Sequence, residues 1–116
     1  MNKRILIADD DPAILEVVSL ILEDAGYQVD TCNGDIRFSE QDVLPDLFLL
    51  DIWMSEKDGR ETCRQLKNNE RTKNLPVIIV SANRDIEKIT EESGADAFLA
   101  KPFEMNDLLT LIAKYI

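Results

Sequence analysis

The sequence predicts an α/β protein built on a doubly wound, five-stranded parallel sheet with helices on both faces. Two observations carry this. Five short strand-like stretches, residues 5–8, 29–32, 47–50, 77–80 and 97–100, alternate with longer stretches of helical spacing. The strands read as continuous apolar runs, as strands covered on both faces do. Right-handed crossovers between parallel strands then leave few arrangements.

The elements follow in order. The first strand, Ile5-Leu6-Ile7-Ala8, runs into Asp9-Asp10-Asp11. Asp11 suits the cap of the first helix and Pro12 its first turn. Ile14, Val17, Val18, Ile21, Leu22 and Ala25 are expected on its buried face, and Gly26 as its left-handed stop. After the second strand a weak helix is expected around residues 36–43, ended by Leu44-Pro45. The third strand, Leu47-Phe48-Leu49-Leu50, closes on Asp51. A helix then starts near Asp58-Gly59 and runs towards Asn69, with Asp58 and Glu61 spaced as a capping box. Val77-Ile78-Ile79-Val80 closes on Ser81. A short helix over about 84–93 stops at Gly94. Ala97-Phe98-Leu99-Ala100 closes on Lys101, and the last helix is expected to bury Met105, Leu108, Leu109, Ile112 and Ile116.

Composition narrows the function. The 116 residues make one ordinary domain, and 45% of them are hydrophobic, enough to bury a core. Thirteen basic residues face 23 acidic ones, a net charge of -10. That argues against direct binding of nucleic acid or an anionic membrane. No apolar run reaches membrane-spanning length, and residues 1–4 show no signal-peptide core, so a cytoplasmic protein is expected. Cys32 and Cys63 lie far apart without metal-ligand spacing, there is no histidine, and nothing asks for a disulfide.

In sheets of this class, ligands bind beyond the carboxyl ends of the strands, where strand order reverses. Asp9, Asp10, Asp51, Ser81 and Lys101 all fall at such ends. Three carboxylates and one ammonium total -2, which a hard divalent cation would neutralise. Magnesium takes oxygen ligands and bridges to phosphate, and the lack of histidine disfavours zinc. An aspartate can accept a phosphoryl group as an acyl phosphate. Lys101 and the Ser81 hydroxyl could then hold phosphoryl oxygens. No Gly-rich P-loop, G-x-S-x-G elbow or G-x-G-x-x-G fingerprint is present. Each residue also has a plainer role. Asp11 reads as a helix cap, Asp9 and Asp10 as a solvated loop start, Ser81 as a strand-end hydroxyl, and Lys101 as a surface lysine. Phe98 reads as core and Trp53 as a partly exposed aromatic.

Together these residues resemble the receiver domains of response regulators in two-component systems. Ile5-Leu6-Ile7-Ala8-Asp9-Asp10-Asp11 is similar to the family's opening. Leu49-Leu50-Asp51-Ile52-Trp53-Met54 with Gly59, Val80-Ser81-Ala82, and Lys101-Pro102-Phe103 are similar to its other three signatures. The resemblance spans residues 1–116 as a single receiver domain. It implies a flavodoxin-like fold of strand order 2-1-3-4-5, with Asp51 as phosphoacceptor. It further implies magnesium held by Asp10, by Asp9 directly or through water, by Asp51 and by the Trp53 carbonyl. Lys101 would bind the phosphate, Ser81 would be the switch hydroxyl and Phe98 the switch aromatic, with a cis Lys101–Pro102 bond. The chain departs from the family at Ser55, where proline is usual, and in short segments around its second and fourth helical stretches.

The function this implies is a phosphorylation-controlled switch, not an enzyme beyond catalysing its own phosphorylation and dephosphorylation. A histidine kinase or histidine phosphotransfer protein would donate the phosphoryl group. The surface of the helix at 84–93, the fifth strand and the last helix would change and meet a downstream protein. The alternative is a degenerate receiver acting as a constitutive interaction module. A flavin-binding protein is disfavoured, because the acidic loop after Ala8 would repel flavin phosphate. Ending after the last helix, the sequence is expected to carry no DNA-binding or catalytic output domain, as either a stand-alone regulator acting by protein contact or a piece cut from a longer protein.

Overall fold

The computed structural model of the chain describes residues 3–9, 11–32, 43–51 and 59–116. In chain order these form β1 (Arg4–Ala8), α1 (Pro12–Asp24), β2 (Gln28–Cys32), β3 (Leu47–Asp51) and α2 (Gly59–Asn68). There follow β4 (Val77–Ser81), α3 (Ile86–Ser93), β5 (Ala97–Ala100) and α4 (Met105–Ala113). All strand pairs are parallel, and the sheet order is β2-β1-β3-β4-β5. That is the order the family resemblance implied. The weak helix expected around 36–43 falls mostly outside the described residues, as does Asp58.

Helix ends form where the local chemistry supports them. The Asp11 carboxylate accepts the Ala13 N–H at 2.9 Å, and Pro12 opens α1. Gly26 takes φ 100° just past α1, and Gly94 takes φ 80° just past α3, both as expected for left-handed stops. At α4, Glu104 and Asp107 form a reciprocal capping box that the sequence reading passed over.

Strand periodicity divides the core in two. On one face Ile5, Ile7, Leu47, Leu49, Ile78 and Val80 pack against Val18 and Leu22 of α1 and Leu108 and Ile112 of α4. On the other, Leu6, Ala8, Phe48, Leu50, Val77 and Ile79 meet Cys63 and Leu66 of α2 and Ile86 and Ile89 of α3. β3 and β4 are therefore buried throughout, and β1 from Ile5 on, which explains their unbroken apolar runs. The edge strands differ. β2 reads Gln-Val-Asp-Thr-Cys and β5 alternates in exposure, because each has a neighbour on one side only.

Three expectations need correction. Val17 is 57% exposed and Met105 is 55% exposed, although both were assigned to buried stripes. Val17 lies on the flank of α1, since the sheet contact runs through Ile14, Val18 and Leu22. Met105 occupies the first turn of α4, ahead of the sheet contact, and shares a shallow groove with α1. Ala25 is likewise exposed, because it is the C-cap and lies past the last turn.

Candidate functional site

The period-2 alternation that splits the core also sorts the polar strand ends. Ile7 and Leu49 face α1 and α4, and two residues on come Asp9 and Asp51. Leu99 packs on that same side, and two residues on comes Lys101. These three side chains meet over a cavity of about 30 Å³ lined also by Ile7, Ile14, Val18, Leu49, Val80 and Phe103. Ser81 and Phe98 have the opposite parity and lie on the side of α2 and α3.

Asp9 follows β1 directly and is 4% exposed. Its backbone N–H continues the ladder to Cys32 O at 3.2 Å. Oδ1 accepts the Asp11 N–H at 3.0 Å, while Oδ2 is buried without a hydrogen-bond partner. Burial, and then the adjacent Asp51 carboxyl, raise the Asp9 pKa from 3.8 to about 7. The Asp11 N–H and the Lys101 charge oppose that rise without cancelling it.

Asp51 ends β3 and is 5% exposed. The Lys101 ammonium donates to its Oδ2. Lys101 is itself placed by its backbone N–H, which donates to Ser81 O at 2.9 Å and continues the β4–β5 ladder. The Lys101–Pro102 peptide is cis, as the resemblance implied. Ser81 is fully buried, and its Oγ accepts the Asn83 N–H at 3.0 Å. Phe98 is 38% exposed and so is not part of the core.

The structure thus brings Asp9, Asp51 and Lys101 into contact, while Ser81 ends the neighbouring strand β4 on the opposite side of the sheet. Asp10, Trp53 and Ser55 lie outside the described residues. Among the described residues no group of three acidic, cysteine or histidine side chains gathers to hold a metal. The donors present still suit a hard cation. They are carboxylate oxygens, and one, Asp9 Oδ2, is buried with no partner to offset its desolvation. Cys32 and Cys63 are not joined in a disulfide.

One residue passed unremarked in the sequence. Asn83 donates its N–H to Ser81, and its Oδ1 accepts the Asp85 N–H at 2.9 Å. The signal is the run Ser81-Ala82-Asn83-Arg84-Asp85, in which side chains able to bond the backbone two residues on recur at every second position.

Comparison with known proteins agrees with this geometry. The family model of the response regulator receiver domain matches residues 5–113. The DNA-binding dual master transcriptional regulator RpaA of Synechocystis is 40% identical over 113 residues, covering 94% of this chain and 47% of that protein. Response regulator GtcR of Aneurinibacillus migulanus is 42% identical over 107 residues, covering 89% of this chain and 43% of that protein. The chain therefore spans about half the length of these curated relatives. The chemotaxis response regulator CheY4 of Vibrio cholerae superposes with a TM-score of 0.86 at 27% identity, covering 100% of both chains. Among the described residues no helix is long and apolar enough to cross a membrane. With its sheet order and its strand-end acids and lysine in place, the chain belongs to the response regulator receiver domain family of two-component signalling systems.

Proposed function

We propose that this domain is a phosphorylation-controlled switch whose phosphoacceptor is Asp51. The observation that carries the reading is the contact of the Lys101 ammonium with a nearly buried Asp51, beside a second buried carboxyl group, Asp9. A carboxylate in that setting is oriented at a strand end and has a cation in reach of its oxygens. The donor would be a histidine kinase or histidine phosphotransfer protein, and the setting the cytoplasm.

In the transfer, one Asp51 oxygen attacks phosphorus, the P–O bond forms, and the P–N bond of the donor phosphohistidine breaks. The imidazole leaves with the bonding pair. Lys101 shifts its ammonium from the Asp51 carboxylate to a phosphoryl oxygen, and the Ser81 hydroxyl donates to another. Asp9, Asp10, Asp51 and the Trp53 carbonyl would hold magnesium. That ion, when bound, neutralises the acid cluster and the charge on the phosphoryl oxygens. Asp9 must be ionised to take part, so its raised pKa sets a proton against the cation. On the far side of the sheet edge, Ser81 and Phe98 would pass the change to α3, β5 and α4, the surface that meets the downstream target.

The test is labelling by a small phosphodonor with magnesium, followed by intact mass. Wild type should gain one phosphoryl group and Asp51→Asn none, with its circular dichroism unchanged. Equal labelling of Asp51→Asn would place the acceptor elsewhere. A folded wild type that takes no label would instead support the constitutive interaction module.

A further inference from the structure

We propose that Phe103 is a positioning residue of the site, whose ring keeps the Lys101 side chain aimed at Asp51 and closes the space under the acid pair from the groove beside α1. The proposal rests on the phosphoacceptor reading above for its chemical role. The placement of Lys101 is itself a property of the metal-free, unphosphorylated protein and can be measured there.

Two spaces meet at this residue. The cavity of about 30 Å³ under Asp9 and Asp51 is lined by Ile14, Val18, Lys101 and Phe103, among others. A groove of about 640 Å³ between α1 and the segment 101–105 is lined by the same four residues, together with Pro102 and Met105. Those four therefore form the wall between the two. Ile14 and Val18 stand one turn apart on α1 and belong to the core on that face of the sheet. Phe103 packs against the same core from the other side of the groove, just past β5. Lys101 is the one charged member of the wall, and it runs between these apolar side chains.

A lysine in this place needs such a wall. The Lys101 backbone is fixed, because its N–H donates to Ser81 O at 2.9 Å. From there a flexible four-carbon stem must carry the ammonium to Asp51 Oδ2. Lys101 keeps 21% of its side chain exposed, so its stem is mostly covered. An apolar surface along the stem confines it while leaving the charged tip free to bond. The bond to Asp51 anchors the tip in the resting protein. During phosphoryl transfer the ammonium leaves Oδ2 for a phosphoryl oxygen, and at that moment only the wall keeps the stem aimed. A misplacement of about 1 Å can cost on the order of a hundredfold in rate. The ring has a second effect. Without it the cavity and the open groove would merge, and water would enter beside a charge pair that is stronger when water is kept out.

A residue that merely fills the core would lower stability when cut back, without singling out one lysine. Acetylation of the metal-free protein by acetic anhydride, read by peptide mass, separates the two roles. Phe103→Ala should speed acetylation of Lys101 about fivefold, the scale of one weakened hydrogen bond. Lys73 and Lys88, with exposed side chains, should react as in wild type. Phe103→Leu keeps an apolar side chain behind the stem and should leave Lys101 as slow as in wild type. If circular dichroism shows Phe103→Ala unfolded, Phe103→Val takes its place, with a smaller rise expected at Lys101 alone. An unchanged Lys101, or an equal rise at all three lysines, overturns the proposal. The chemical role is read from the rate of labelling by a small phosphodonor with magnesium. Phe103→Ala should slow labelling about tenfold. In a Lys101→Met background the same change should alter the rate by no more than about twofold, because there is no ammonium left to aim. Losses that multiply in the double variant would show that Phe103 acts independently of Lys101, against the proposal. A wild type that takes no label would count against the phosphoacceptor reading alone, and acetylation would still decide whether Phe103 places Lys101.

Discussion

Asp9 shows how a single residue reports on the site around it. Its carboxyl is buried, shares its surroundings with Asp51, and has one oxygen without a partner. The consequence is a pKa raised from 3.8 to about 7. The sign of the stability effect follows from linkage. Between those two values the folded protein holds a proton that the unfolded chain has released, so stability must fall as pH rises. The contribution is fully present below about pH 4 and is lost as pH passes through about 7. Its size is on the order of a few kcal/mol at most. Urea unfolding of the metal-free protein between pH 4.5 and 8 should show this decline. Asp9→Asn can still accept the Asp11 N–H but has no charge to suppress. The variant should be more stable than wild type at pH 8, with the gap closing towards pH 4.5. A constant gap would mean that Asp9 does not titrate in that window. Magnesium, where it binds, should bind more tightly as pH rises to about 7, because the proton then stops competing.

Among the elements, one carboxylate ties several together at the end of the sheet opposite the site. Asp96 Oδ2 accepts the Val77 N–H at 2.8 Å and the Lys67 ammonium at 2.6 Å. Lys67 also donates to Leu75 O at 2.9 Å, and the Tyr115 hydroxyl donates to Asp96 O at 3.1 Å. The last turn of α2, the start of β4, the approach to β5 and the C-terminal end of the chain are thus joined through two residues. Asp96→Ala should cost roughly 1–3 kcal/mol, since it leaves the Val77 N–H and Lys67 without their partner. Asp96→Asn should cost less, because an amide oxygen can still accept from Val77. Equal losses in the two variants would show that the charge, and not the backbone bond, carries the effect. Nothing in the sequence singles out this pair, because partners 29 residues apart become visible only once the sheet is assembled. The central strands were legible for the opposite reason. Burial on both faces leaves an unbroken apolar run, and Asp9, Asp51 and Ser81 stand out against it. Helix faces were harder to read. Val17 and Met105 satisfy the helical spacing, yet they flank a groove, and spacing alone does not say how wide the covering sheet is. Asn83 escaped notice because a turn residue becomes a link only when the hydroxyl it serves is known.

The molecule as a whole carries a net charge of -10, so its compact state works against self-repulsion. The two acids that meet at the site are only a small part of that charge, and their effect must be separated from it. Salt screens exposed charges over about 10 Å at 0.1 M, whatever the ion. Sodium chloride should therefore raise the melting temperature of wild type modestly. Magnesium chloride at equal ionic strength should raise it further, because a ligand that binds only the folded state stabilises by mass action, about 2.7 kcal/mol at a hundred times its Kd. Asp51→Asn and Asp9→Asn each remove one carboxylate from the site and change the net charge by only one. They should keep the sodium effect and lose most of the magnesium surplus. The decisive quantity is the difference between the two salts, measured for all three proteins at pH 8, where Asp9 is ionised. A surplus of the same size in wild type and both variants would assign the magnesium effect to the diffuse acidic surface. The strand-end carboxylates would then hold no cation, and the phosphoryl transfer proposed for Asp51 would have to proceed with Lys101 as the neutralising charge in reach.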